Sequence, residues 1–92
     1  MPAQGDDPLV QELREQITDA DRRIVATLNE RLQLVRRLWQ LKEERGYSFV
    51  DADRERRLLE ELGRANAGPL SEDGLRELVT EVLALTKREL SR

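Results

Sequence analysis

The sequence predicts an all-α domain, with one long, one short and one medium helix, that pairs with a second copy of itself. Three observations carry this. Leu, Glu and Arg dominate the 92 residues, and the aromatics are one Trp, one Tyr and one Phe, the composition of a helical bundle. Residues 9–45 hold neither Gly nor Pro. Through that stretch apolar residues recur at steps of three and four, the period of one helix face.

Residues 1–8, MPAQGDDP, read as a flexible tail, and residues 9–92 as the domain. The first helix follows from Val10, Leu13, Ile17, Ala20, Ile24 and Leu28, continuing through Val35 and Leu38. About 36 helical residues would reach ~54 Å. Two shorter helices cannot cover such a seam, and near-heptad spacing calls for a partner helix. Gly46 can end the helix in a left-handed conformation. Ser48 to Val50 is a connector. Asp51 or Asp53 is a good N-cap, and Leu58, Leu59, Leu62 and Ala65 give the second helix its apolar face. Asn66-Ala67-Gly68-Pro69 stops it. Ser71 caps a third helix with Glu72 and Asp73 in its first turn, where the helix dipole favours anions. Leu75, Leu78, Val79, Val82, Leu83 and Leu85 form its apolar face, which runs to near Leu90.

The chain has no Cys and no His. Disulfides, thiolate nucleophiles and zinc-thiolate sites are excluded, and the commonest general base and metal ligand are missing. No apolar run approaches the ~18–20 residues that span a membrane, and the start lacks a signal-peptide pattern, so a cytoplasmic location is expected. A net charge of −3 argues against nucleic acid as a partner. An anionic ligand would need a local cluster of cations.

Such cations stand where the apolar period asks for Leu or Val. Extending the first stripe through 28, 31, 35, 38 and 42 reaches Arg31 and Lys42. Each has an ordinary reading, Arg31 paired with a glutamate and Lys42 snorkelling from the helix end. Together they read differently. Arg14 lies at the edge of the seam, where an antiparallel second copy would bring it near the Arg31 to Lys42 region. Asp51 to Arg57 is D-A-D-R-E-R-R, and Arg54 begins the second helix beside Asp51 and Glu55. Guanidinium and ammonium groups converging with two carboxylates suit a small dicarboxylate carrying a hydroxyl.

The ordered set is L-R-x-x-I-x-x-x-D-x-x-I from Leu13, then Glu30-Arg31, Lys42 eleven residues on, and D-x-x-R-E from Asp51. On these residues the chain resembles the all-helical class of chorismate mutases, from about residue 9 to residue 90. The resemblance implies an intertwined homodimer of three-helix chains with two active sites. Each site is completed by an Arg from the other chain, here Arg14. It implies that Arg31 and Arg54 handle the substrate, and that Lys42 contacts a carboxylate and the ether oxygen. Asp51 and Glu55 would lie near the ring hydroxyl, while Asp53, Arg56 and Arg57 stay in solvent. In the third helix the family often has a Ser and, four residues on, a Gln or Glu; Val82 and Thr86 stand there. Thr86 should face inward, its hydroxyl offered either to substrate or to its own helix backbone. Trp39 takes a place often held by Gly, and its plain role is packing in the core or the dimer.

The reaction implied is the conversion of chorismate to prephenate in aromatic amino acid biosynthesis, with Lys42, Arg31 and Glu55 as the catalytic groups and no cofactor. Alternatives on the same scaffold are an isochorismate pyruvate lyase and a mutase of 4-amino-4-deoxychorismate. A third alternative is a non-catalytic module that regulates a shikimate-pathway enzyme.

Overall fold

The computed structural model describes residues 4–49 and 51–91. Met1 to Ala3 of the expected tail, Val50 of the connector and Arg92 lie outside the described residues. A 3-10 turn, Gln4–Asp6, leads into three α-helices: α1 (Pro8–Arg45), α2 (Ala52–Ala65) and α3 (Glu72–Leu90). No strand occurs among the described residues. The long, short and medium order is the one expected. The chain forms two compact units, Met1–Gln33 and Leu34–Arg92.

In the first unit α1 begins at Pro8, one residue before the expected domain start. Proline at the first helical position gives up an N–H that has no intrahelical partner. Asp7 caps this end, its carboxylate accepting the Leu9 N–H at 3.0 Å. The preceding turn is tied to the helix. Gln11 Nε2 donates to the Gly5 carbonyl at 3.1 Å, and Arg14 Nη2 donates to Gln4 Oε1 at 2.9 Å. The apolar stripe of this unit is open in the single chain: Leu9, Leu13, Ile17 and Ile24 are 57–69% exposed.

In the second unit α1 closes as expected. Gly46 takes φ +70°, and its N–H donates to the Glu43 carbonyl at 3.3 Å while the Tyr47 N–H donates to the Lys42 carbonyl at 2.8 Å. This bond pair is a Schellman cap, which requires the left-handed residue that glycine supplies without strain. Asp51 is the N-cap of α2, accepting the Arg54 N–H at 3.0 Å. Asn66 terminates it: its side-chain oxygen accepts from Gly68 N–H at 3.0 Å and its amide donates to the Leu70 carbonyl at 2.9 Å. Ser71 Oγ caps α3 through the Gly74 N–H at 3.0 Å. A Cβ added at Gly74 would lie 2.9 Å from Leu70 Cδ1, so the Leu70 side chain would have to shift to admit one. α2 packs on α3. Leu75, Val79 and Thr86, on one stripe of α3, are the buried residues among those described.

Candidate active site

The residues singled out by sequence fall in both units. Arg14 and Arg31 belong to the first, and Lys42, Asp51, Arg54, Glu55, Val82 and Thr86 to the second.

Arg14 is exposed, and its bond to Gln4 is made by one edge of a fork that carries five donors. Arg31 is half-buried on the apolar stripe of α1. Elsewhere on α1, Arg22 and Asp19 form an exposed salt bridge. Exposed pairs of this kind contribute at most ~1 kcal/mol and serve solvation.

In the second unit the last turn of α1 brings Lys42 onto the connector. Lys42 is half-buried, and its ammonium donates to the Phe49 carbonyl at a long 3.5 Å. The Schellman cap fixes its backbone at the same point. The side chain thus reaches toward the connector. Asp51 is exposed, and one of its oxygens is engaged in capping. That bond fixes the start of α2 and with it the direction of Arg54 and Glu55. Arg54 is exposed.

Glu55 reaches α3, where its Oε1 lies 3.8 Å from Lys87 Nζ. No motif or spacing in the sequence points to Lys87. The pairing is set by how α2 lies on α3, which no periodicity along one helix reports. Val82 is half-buried. Thr86 faces inward as expected, at 5% exposure, and its hydroxyl donates to the Val82 carbonyl at 2.7 Å. Of its two readings, the backbone bond is the one present. A hydroxyl donating to its own helix offers a ligand only its lone pairs.

Within the second unit Lys42 stands near the end of α1, Arg54 and Glu55 at the capped start of α2, and Thr86 on the inner face of α3; α2 and α3 pack together, and among the described residues α1 packs on neither. Cations of these types can grip anionic groups and donate hydrogen bonds to them. Among the described residues, no cluster of His, Cys, Asp and Glu is placed to hold a metal ion. No helix is long and apolar enough to cross a membrane, among the described residues.

Comparison with known proteins gives the same direction. A family model described as chorismate mutase type II matches residues 13–90. Two solved structures of chorismate mutase from Thermus thermophilus are similar to this chain. Form II is 30% identical, with 90% of this chain and 94% of that one covered, at a TM-score of 0.83. Form I is 31% identical, with 84% and 96% covered, at 0.80. No curated protein matches the chain.

Proposed function

The chain belongs to the chorismate mutase type II family, and on that premise we infer that it is an isomerase converting chorismate to prephenate. The observation that carries this is the family match across residues 13–90, with the ordered cations and carboxylates of the sequence inside it.

The chemistry fits a chain without His or Cys. The rearrangement is concerted: the ether C–O bond breaks as a new C–C bond forms, with no nucleophile and no obligatory proton transfer. The protein has two tasks. It holds the dianion in a chair-like reactive conformer, and it stabilises the negative charge that grows on the ether oxygen. Arg14, Arg31 and Arg54 suit the first task, because a guanidinium grips a carboxylate through two parallel bonds. Lys42 suits the second, a compact ammonium held at the end of α1. Asp51 and Glu55 are assigned to the ring hydroxyl. Val82 and Thr86 line the site. With the Thr86 hydroxyl donating to Val82, the donor to the ether oxygen is Lys42.

The functional unit of this reading is a homodimer. Arg14 and Arg31 sit on one continuous helix, seventeen residues apart. At 1.5 Å per residue that is ~25 Å, far beyond the span of one small dicarboxylate. One copy of α1 cannot deliver both to one ligand, whereas Arg14 of a second, antiparallel copy can meet Arg31 of the first. The exposed stripe of Leu9, Leu13, Ile17 and Ile24 supports the same pairing, because large apolar side chains in a row are costly in water. The reading includes a cytoplasmic location for this biosynthetic step.

The test is a side-by-side assay of the purified chain on chorismate, isochorismate and 4-amino-4-deoxychorismate, with products identified by NMR. Prephenate from chorismate well above the spontaneous rate is expected. Turnover of another substrate in preference, or of none, would overturn the reading.

A further inference from the structure

Lys42 is attached to the connector at both of its ends. Its backbone carbonyl accepts from Tyr47, as the Gly46 cap requires. Its ammonium donates to the Phe49 carbonyl, and this second bond depends on where the connector lies along α1. One turn back, on the same face as Lys42, Trp39 meets the Phe49 ring edge-on, with centroids 6.1 Å apart and planes at 63°. That geometry aligns the positive edge of one ring with the negative face of the other. Phe49 remains 51% exposed in the single chain. Its contact with Trp39 fixes the path of the connector over the last turns of α1.

We propose that Trp39 is a positioning residue for Lys42: the Trp39–Phe49 contact pins the Phe49 carbonyl beside the ammonium and so restricts the direction in which Lys42 presents its charge. A lysine side chain is a flexible four-carbon stem, and a donor accelerates a reaction only when it is oriented before the charge develops. The carbonyl supplies that orientation through a long, weak bond that a bound anion can replace. The inference rests on the reading of Lys42 as the donor to the ether oxygen.

The experiment measures kcat and KM on chorismate for Trp39→Leu, Phe49→Leu, the double variant and Trp39→Phe, each with Lys42 intact and with Lys42→Met. With Lys42 present, each Leu variant should lower kcat about three- to tenfold while KM moves less than about twofold. The double variant should lose no more than either single one, since both remove one contact. Trp39→Phe keeps a ring against Phe49 and should retain most of the rate. In the Lys42→Met background the Leu substitutions should change kcat by less than about twofold. A packing role alone would lower the rate equally in both backgrounds, and that result overturns the proposal. So does a wild-type kcat in both Leu variants. If Lys42→Met itself keeps the wild-type rate, the assignment of Lys42 fails and this inference with it. A large loss in Lys42→Met beside an unaffected Trp39→Leu overturns the inference alone.

Discussion

Replacing Ile17 by Asp should take the proposed dimer apart while leaving the packing of the single chain intact. Ile17 is 60% exposed in one copy, so it supplies little to that copy's own packing. Full burial of a Leu or Ile side chain contributes about 1.5–3 kcal/mol. Covering the part of Ile17 still in water is then worth about 0.9–1.8 kcal/mol. A two-fold interface counts each residue twice, so the pair contributes about 2–4 kcal/mol. Aspartate removes this term and adds the desolvation of two carboxylates in an apolar seam. The dissociation constant should rise at least ~30-fold. Sedimentation velocity over a concentration series reads it directly. Ile17→Val, which loses one methylene on each side, should weaken the dimer by less than ~10-fold. An Ile17→Asp protein that dimerises as tightly as wild type would refute the reasoning, as would a wild-type chain that is monomeric at micromolar concentration.

Lys42→Met should lower kcat by ~10²–10³ and change KM far less, because the bond to the ether oxygen strengthens only in the transition state; steady-state kinetics on chorismate separate the two. Lys42→Arg should recover little of that rate, a planar fork being no substitute for a compact ammonium. Thr86→Val, measured the same way, should stay within about threefold of wild-type kcat, because the hydroxyl it removes is directed at the Val82 carbonyl. Ser71→Ala removes the N-cap of α3 and should cost about 1 kcal/mol in chemical denaturation.

What the sequence made legible is what local rules govern. Gly46 sits where a left-handed cap is needed, and Asp51 and Ser71 each stand three residues before the N–H they accept. Period alone placed Thr86 on the buried stripe of α3 with Leu75 and Val79. Period did not say where its hydroxyl would point, because a threonine on an inner face can serve a ligand or its own helix equally well. The contacts of Trp39 and Lys42 with Phe49 were not legible either. They join residues seven to ten apart across the Gly46 turn, and the connector has no repeat from which to read a facing side. The Glu55–Lys87 pair spans α2 and α3, so it follows from helix packing and from no spacing within either helix. The open stripe from Leu9 to Ile24 was legible as a seam in want of a partner, and it is open in the single chain.

The claim that two copies share each site is tested most directly by subunit complementation. Arg14→Ala and Arg31→Ala should each abolish most chorismate turnover while helicity persists. Mixed in equal amounts under demonstrated subunit exchange, half of the dimers carry one of each chain, and each of these holds one site with both arginines. Turnover should recover to about one quarter of wild type, as random pairing across a two-fold interface requires. A mixture no more active than its two components, with exchange complete, would contradict the shared site.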